Sequence, residues 1–526
     1  VYLFGKNGEA PNDSILYKNL NIHYYDKLRV RPNMLYRWMN YQQFVRSKQM
    51  RASNRTRLYS QYRQEQVQEK LSQLGIFSYL DMQYAPRDTT AACDTLDVTM
   101  QATFAKPLDA ELELNVVTKS NDQTGPGASF GVTRNNVFGG GESWNVKLKG
   151  SYEWQTGGGE KSSLMNSWEM GLSTSLTFPR VVFPHLGKRE FDFPATTTFR
   201  LYINQLNRAK YYKLLSFGGN ATYDFQPSRT SRHSITPFKL TFNVLQHQSE
   251  DFKEIAEANP ALYVSLRNQF IPAMEYTYTY DNASVRRIKN PIWWQSTVTS
   301  AGNITSLIYR AFGKPFNEED KSLLGAPFAQ FVKLNTELRH LWNIDKNNAI
   351  ASRMAVGALF TYGNATIAPY SEQFYVGGAN SIRAFTVRSV GPGGYHPEEG
   401  KYSYLDQTGT FRFEANVEYR FRIFKSFWGA TFLDAGNVWL LRKDRKLLAD
   451  GTEARPNSQL RLKTFPKQIA LGTGVGIRYD MDILVFRLDF GIPLHLPYDT
   501  DRSGYYNVTG AFLKNLGIHF AIGYPF

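Results

Sequence analysis

From about residue 109 to the end of the chain, apolar and polar side chains alternate along many short segments. In 411–421, for example, aromatic, Ala and Val residues occupy the odd positions, while Arg, Glu and Asn occupy the even ones. Because successive side chains of a strand point to opposite faces, each segment predicts a strand with one apolar and one polar face. Soluble sheets also alternate, but their apolar faces must meet one another, whereas a barrel with a charged interior turns its apolar face to lipid.

Sixteen such segments can be counted, an even number that is typical of bacterial outer-membrane barrels. The predicted strands are 109–118, 127–135, 143–155, 165–178, 195–205, 214–225, 234–246, 267–281, 292–303, 328–342, 349–362, 409–421, 427–439, 467–479, 483–492 and 515–526. Most of the long connections follow odd-numbered strands, as they should if the segment before the first strand lies in the periplasm. We therefore predict a mainly β fold, in which a sixteen-stranded antiparallel transmembrane β-barrel occupies residues 106–526.

The last ten residues, 517–526, alternate and stop on an aromatic residue. Five side chains should share one lipid-facing side of an extended strand: Ile518, Phe520, Ile522, Tyr524 and Phe526. Outer-membrane β-barrel proteins end in this way, and their terminal strand both closes the barrel and serves as an assembly signal. A soluble sandwich that finishes on an amphipathic strand is the alternative for this segment alone.

The first hundred residues differ in kind. Their pattern predicts a strand at 19–25, helices at 33–40 and 62–74, and strands at 76–84 and 96–104. The junction Leu71-Ser-Gln-Leu-Gly-Ile-Phe77 resembles the late helix-to-strand junction of a POTRA module, a periplasmic unit. We expect a POTRA-like periplasmic domain over 19–105, with 1–18 as a remnant or linker from a preceding domain; an unrelated α+β domain is the alternative.

Composition is compatible with a barrel but not with a spanning helix. The mean hydropathy is −0.42, and no apolar run approaches the roughly 18 residues that a helix needs to cross a bilayer. The chain has 36 Phe, 32 Tyr and 9 Trp, enough for the aromatic girdles that barrels place at both membrane interfaces. No signal peptide precedes Val1, so we expect the chain to be the mature portion of a longer protein.

The charge and the reactive side chains predict no enzyme chemistry. The net charge of +15 is dispersed, which fits lumen and loop charges that meet lipid headgroups or acidic partners rather than nucleic acid. The single Cys93 excludes an intrachain disulfide and a cysteine-based metal site. The eight His show no metal-binding spacing, and no catalytic triad or phosphate loop stands out. We predict a protein that is not an enzyme and has no metal or cofactor.

The longest connection, 363–408, carries the most specific motif. Loops of this length are more often functional than not. Its segment Ile382-Arg383-Ala384-Phe385, with Gly377-Gly378 before it and Gly391-Pro392 after it, resembles the tip of the sixth extracellular loop in the BamA/TamA superfamily. The family usually has Gly at the position of Ala384, and a required positive φ would disfavour Ala there.

A long loop folded into a barrel lumen loses conformational entropy and buries the Arg383 guanidinium, so it needs a fixed anion. The planar fork of Arg suits a carboxylate. The resemblance implies that the partner acids are Glu418, which faces inward by alternation, and Asp434, whose strand has aromatic residues on both faces. The alternative is an Arg383 that is solvated in a flexible loop.

The resemblance implies a factor that inserts β-barrel proteins into the bacterial outer membrane through a weak seam between the first and last strands. The seam face of the first strand carries Leu112, Leu114 and Val116. Implied partners are nascent outer-membrane proteins, the lipid bilayer, and either a TamB-like envelope-spanning protein or accessory lipoproteins. The segments 381–393 and 432–439 look most like the TamA/TamL branch. A two-partner-secretion polypeptide translocator is the first alternative, and a passive porin or transporter is the second.

Overall fold

The computed structural model describes the chain except residues 6, 40–58, 60, 89, 91–94, 119–122, 156–166, 184–194, 209–211, 251–252, 254–267, 284–287, 318–320, 324–325, 365–367, 398–406, 444–452, 482–483 and 513–514. Cys93 therefore lies outside the described residues.

The N-terminal residues form a small α+β unit. Its elements are β1 (Tyr2–Phe4), β2 (Asp13–Tyr17), β3 (Leu20–Tyr24), α1 (Pro32–Met39), α2 (Gln61–Gln73), β4 (Phe77–Pro86) and β5 (Leu96–Phe104). The sheet order is β2-β3-β1-β5-β4, and apolar residues of α1 and α2 pack on it.

The segment 1–18, predicted as a remnant or linker, belongs to this unit. Strand β1 lies in the middle of the sheet and pairs in parallel with both β3 and β5. Leu3 is fully buried in the core. A three-residue strand that is buried among its neighbours shows too short an alternation to be found in the sequence.

The rest of the chain forms one antiparallel sheet of sixteen long strands, which confirms the predicted barrel fold class. They are β6 (Leu108–Thr118), β7 (Gln123–Asn135), β8 (Ser143–Gln155), β9 (Ser167–Phe178), β10 (Ala195–Arg208), β11 (Tyr212–Phe225), β12 (Ser231–Gln248), β13 (Gln269–Asp281), β14 (Ile292–Ala301), β17 (Phe331–Asn343), β18 (Asn348–Thr361), β19 (Phe411–Phe424), β20 (Phe427–Trp439), β21 (Ala470–Asp480), β22 (Val485–His495) and β23 (Gly517–Ile522). Each strand pairs with its neighbours in chain order, so β6 and β23 are the two ends of the sheet.

One long connection carries additional elements. Between β14 and β17 lie the helix α3 (Asn303–Ala311) and a two-stranded ribbon of β15 (Ser322–Leu323) and β16 (Ala326–Pro327). None of the described helices is long and apolar enough to cross a bilayer.

The alternation of side chains sorts the two faces of the sheet as predicted. Leu112 and Leu114 of β6 are 67% and 74% exposed on the outer face. Glu418 of β19 and Asp434 of β20 are fully buried on the inner face. The inner face is covered where the connection between β18 and β19 packs against it, with Ile382 and Phe385 in a cluster that includes wall residues of β17, β18, β20 and β21.

The last strand is shorter than predicted. It ends at Ile522, because Gly523 adopts a φ of 88° that a continuing strand cannot accommodate. Ile518, Phe520 and Ile522 stay on the exposed outer face. Tyr524 and Phe526 lie beyond the end of the strand, and the Arg420 guanidinium, on the inner face of β19, lies 4.2 Å from the Tyr524 ring centroid and 5.8 Å from that of Phe526.

Candidate functional site

The tip of the connection between β18 and β19 is a compact turn that buries residues 382–385. Gly377 and Gly378 both have positive φ, and the Gly378 amide donates to the Phe385 carbonyl at 2.7 Å. A Cβ on Gly377 would stand 2.0 Å from the Thr386 carbonyl oxygen. These two glycines therefore let the chain double back, and the doubled segment presents Arg383 to the barrel wall.

The structure brings Arg383 together with both predicted acids. Its Nε and Nη2 donate to the two Asp434 carboxylate oxygens at 2.8 and 2.9 Å, and its backbone amide donates to Asp434 at 3.0 Å. Its Nη1 donates to Glu418. All three side chains are fully buried, so the guanidinium is held by a bidentate pair plus a second carboxylate. The alternative of a solvated Arg383 is wrong for this structure.

The Arg383 guanidinium also lies over the face of Phe432, 3.6 Å from the ring centroid. Burial alone would lower the pKa of Arg383, but the hydrogen bond to Asp434 and the charges of Asp434, Glu418 and Asp489 raise it above its ordinary value. The side chain therefore stays cationic, and the cation is held from one side by carboxylates and from another by an aromatic face.

Glu418 is the hub of a wider ionic cluster. Besides Arg383, it accepts hydrogen bonds from Arg420 at 2.7 Å and from Arg478 of β21 at 3.1 Å. Arg478 in turn forms an ion pair of 2.6 Å with Asp489 of β22. This network links four consecutive strands, and nothing in the sequence analysis singled out Arg478 or Asp489. Their visible signal was a charged residue on the inward face of each strand, with Asp489 two residues after Arg487 on the same face of β22.

A second group of contacts fixes the residue before the motif. The Ser381 hydroxyl donates to Glu414 at 2.6 Å, and the Ser381 carbonyl accepts from Asn416 at 2.8 Å. Asn416 also donates to Asp434 at 2.9 Å, and Arg353 of β18 donates to both Glu414 and Asn416 at 3.1 Å. The loop tip is thus held through its side chains and its backbone.

The wall opposite the tip is lined with glycine. A Cβ on Gly472 would stand 2.3 Å from the Ala384 Cβ, and a Cβ on Gly491 would stand 2.7 Å from the Arg383 carbonyl oxygen. A Cβ on Gly517 of β23 would stand 3.2 Å from the same oxygen. Strands β21, β22 and β23 therefore each have a glycine where the loop contacts the sheet. These glycine contacts were not predicted from the sequence, although the glycines on the inward face of β21 could have indicated them.

Ala384 fits the tip as it stands. It is not among the described non-glycine residues with positive φ, so the conformation that would have required glycine is absent here. Its methyl group fills the space left by Gly472, and it is buried with Ile382 and Phe385. The predicted strain at Ala384 therefore does not arise.

The cluster also reaches the end of the chain. His519 of β23 donates from Nε2 to the Arg383 carbonyl at 2.8 Å, and Arg420 donates to the Phe526 carbonyl at 3.4 Å. Arg487 of β22 donates to the Ala379 carbonyl at 2.9 Å. The loop therefore contacts the last two strands, β22 and β23, as well as β19 and β20, the two strands that come directly after it in the sequence.

The predicted seam residues lie at the other end of the sheet. Leu112 and Leu114 point outward from β6, and Val116 belongs to the same strand, where its backbone is in register with Pro126 of β7. Among the described residues, the hydrogen bonds of the Arg383 cluster come from the loop and from strands β18 to β23. Within that part of the chain, no group of three or more His, Cys, Asp or Glu residues is placed to hold a metal ion. The chemistry of the cluster is charge pairing and hydrogen bonding, which hold one polypeptide segment against another.

Comparison with known proteins places this architecture in a family. The fold is similar to that of BamA from Haemophilus ducreyi lacking POTRA domains 1–3, with 12% identity over 97% of this chain and 88% of that chain and a TM-score of 0.58. CdiB from Acinetobacter baumannii matches with 13% identity over 88% of this chain and 68% of that chain, at a TM-score of 0.47. The Omp85 superfamily domain matches residues 136–526, which is most of the chain.

This match confirms the resemblance drawn from the loop motif and the terminal strand at the level of the superfamily, while the TamA/TamL branch stays a prediction. The chain belongs to the Omp85 superfamily, whose β-barrel proteins reside in the outer membrane and act in the insertion or translocation of polypeptides.

Proposed function

We propose that this protein inserts β-barrel proteins into the bacterial outer membrane through a seam between β6 and β23. The observation that carries the proposal is the mismatch of the two strands at the ends of the sheet. β6 has eleven residues and β23 has six, so β23 cannot pair along the whole length of β6. Among the described strands β6 pairs only with β7, so its other edge can offer backbone N–H and C=O groups that template an incoming strand.

The early end of β23 supports the same function. Gly523 turns the chain off the strand, and the residues after it contact Arg420 inside the sheet instead of extending the edge. An incoming strand could then pair with β6 from the end where β23 stops. The outward Leu112 and Leu114 would give this strand a lipid-facing neighbour of the same apolar character.

The small α+β unit is proposed to be a POTRA-like periplasmic domain that receives clients. Its sheet ends in β2 and β4, whose edges can add a strand from a partner. The Arg31 amide donates to the Gly139 carbonyl at 2.7 Å, and the Asn136 amide group donates to the Arg29 carbonyl at 2.8 Å. These bonds join the unit to the turn between β7 and β8, next to the start of β6, where a client could be handed to the seam.

The clients would be nascent outer-membrane proteins. The accessory partner would be a TamB-like envelope-spanning protein or a set of lipoproteins, and co-purification from membranes distinguishes the two. Depletion of the protein followed by proteomics of the outer membrane identifies the clients. A passive porin is disfavoured because the buried Arg383 loop covers part of the inner face.

A reversible lock on the seam tests the proposal. In a Cys93→Ser background, Cys pairs would join β6 to β23 at Glu111 or Glu113 and at Ala521, and the crosslinking pair would be chosen by gel shift. A matched control, Thr277→Cys with Thr297→Cys, joins β13 to β14 at a register pair whose hydroxyls already lie 2.9 Å apart.

Oxidation of the seam pair should abolish client insertion into proteoliposomes, reduction should restore it, and the control pair should have no effect. Full insertion by the locked form would contradict the seam mechanism. Export of a secreted polypeptide by the locked form would favour the two-partner-secretion alternative instead.

A further inference from the structure

Helix α3 follows β14 without a linker at the end of the sheet far from the small α+β unit. Gly302 makes the transition: its φ is 70°, and a Cβ there would stand 2.3 Å from the Ala329 carbonyl oxygen. The Gly302 amide donates to the Pro272 carbonyl at 2.8 Å, which ties the start of the helix to β13. The position of α3 on the rim is therefore fixed by backbone contacts.

The amphipathic character of α3 is the reverse of that of an ordinary packed helix. Thr305 and Ser306 are buried, whereas Ile304, Leu307 and Ile308 are 47%, 55% and 52% exposed. Phe312, directly after the helix, is 84% exposed. The spacing of these apolar residues places them on one stripe of the helix. A stripe of large aliphatic and aromatic side chains that faces away from the protein indicates an external apolar environment.

The polar side of α3 is held to the barrel, so the exposed stripe cannot simply turn inward. The Ser306 hydroxyl donates to Gln330 at 2.9 Å and accepts from the buried Lys321 ammonium at 3.1 Å. Asn303 accepts from the Tyr362 hydroxyl at 2.8 Å. Turning the helix over would leave this buried ammonium without the Ser306 hydroxyl as an acceptor.

The helix lies on the outer side of the wall rather than over the lumen. Tyr309 packs against a buried cluster that contains Phe270 and Phe328, and Phe242 packs against the same cluster. Phe242 shares one face of β12 with Phe238, which is 64% exposed, since the two are an even number of residues apart. The exposed stripe of α3 therefore continues the lipid-facing surface of the strands.

We propose that α3 is an interfacial helix that lies in the outer leaflet of the membrane and buries its apolar stripe among the acyl chains at the headgroup boundary. Arg310 and Lys314 flank the stripe, as cationic side chains do in helices that lie in the plane of a membrane. The occupant of this surface is membrane lipid.

The position of α3 gives the anchor a specific use. β14 is the ninth strand counted from β6 and the eighth counted from β23, so α3 stands at the middle of the sheet, across the barrel from the seam ends. The helix holds the wall opposite the proposed seam at a fixed depth in the bilayer. Opening of the seam between β6 and β23 then disturbs the membrane beside those strands rather than beside α3.

Fluorescence quenching in lipid nanodiscs tests the anchor. In a Cys93→Ser background, Phe312→Cys carries an environment-sensitive fluorophore, and the full chain is reconstituted in phosphatidylcholine and phosphatidylglycerol with or without doxyl-labelled lipid. The matched control is Asp501→Cys, an exposed position in the connection between β22 and β23 on the same rim. The label at 312 should be quenched several-fold more by doxyl lipid than the label at 501, and less by aqueous iodide.

A second variant separates lipid contact from general exposure. Leu307→Glu with Ile308→Glu replaces the stripe but leaves the buried Ser306 contacts in place, so the barrel should keep its heat-modifiable mobility while the doxyl quenching at 312 falls to the level at 501. Equal iodide quenching at 312 and 501 would overturn the proposal. Shielding of 312 from both quenchers would also overturn it, since that result requires a covering protein segment.

Discussion

His519 and Arg383 join the last strand of the barrel to the tip of its longest described loop. The imidazole Nε2 of His519 donates to the Arg383 carbonyl at 2.8 Å, and both residues are buried. The same Arg383 binds Glu418 and Asp434 through its side chain. One loop residue thus connects β19, β20 and β23, and the loop acts as a clamp on the strands next to the proposed seam.

The first prediction concerns the clamp itself. Arg383→Ala removes the guanidinium and leaves Asp434 and Glu418 buried with fewer donors, and breaking a buried ion pair in this way costs about 3–5 kcal/mol. We expect the free energy of unfolding in detergent to fall by this amount, measured by urea titration, and the heat-modifiable gel shift to occur at a lower temperature.

The matched control for Arg383→Ala is Arg232→Ala. Arg232 is 59% exposed and lies 3.7 Å from Asp224, so its loss should change the free energy of unfolding by about 0–1 kcal/mol. If the two substitutions had the same effect, Arg383 would have no special structural role.

The second prediction is that the two acids are not equivalent. Glu418 binds Arg383, Arg420 and Arg478, whereas Asp434 binds only the first of these arginines. Glu418→Gln should therefore reduce the free energy of unfolding more than Asp434→Asn does, because it leaves three buried guanidinium groups with one fewer counter-charge.

Each acid substitution should also be non-additive with Arg383→Ala. A double-mutant cycle should give a coupling free energy of about 0.5–3 kcal/mol for each pair, obtained from urea unfolding of the single and double variants. Strict additivity for both pairs would show that the contacts of Arg383 with the acids carry no energy.

Much of this fold follows from local pattern, since a strand alternates with a period of two wherever one face meets lipid and the other is polar. Segment 143–155 has the bounds of the observed β8, and 427–439 has those of β20. The N-terminal β1 was missed because its three residues are too few to show a period. The last turn at Gly523 was missed because the contacts of Tyr524 and Phe526 with Arg420 join residues about one hundred positions apart.

The residues of the candidate site could be predicted from the sequence only where a recognisable motif was present. Arg383 and its acids Glu418 and Asp434 could be named from the loop resemblance and from alternation. Alternation alone also places Arg478 and Asp489 on the inner face, but which inward charges meet depends on the stagger of β19, β21 and β22. That stagger is set by how the strands pair across the sheet, and no single strand carries it.

The third prediction tests the glycine wall. Gly491→Ala places a methyl group 2.7 Å from the Arg383 carbonyl oxygen, so the loop tip or the strand must move, and we expect the free energy of unfolding to fall by about 1–3 kcal/mol. Gly150→Ala on β8 is the control, since nothing lies within 4 Å of its Cβ position. The control should be neutral or slightly stabilising, because alanine restricts the unfolded chain. If Gly491→Ala and Gly150→Ala changed the free energy of unfolding equally, close packing of the loop against Gly491 would be contradicted.

The fourth prediction concerns the tie between the loop and the last strand. His519→Phe keeps a ring of similar size but removes the donor, so the buried Arg383 carbonyl loses its partner at a cost of about 1–3 kcal/mol. Because the loss is local to β23, amide hydrogen exchange there should speed up by about tenfold, which corresponds to 1.4 kcal/mol, while exchange in the central β14 stays unchanged. His247→Phe on β12, an exposed position, should alter neither strand. Faster exchange in β14 and β23 alike would indicate a general loss of stability, and unchanged exchange in β23 would show that His519 does not hold the last strand.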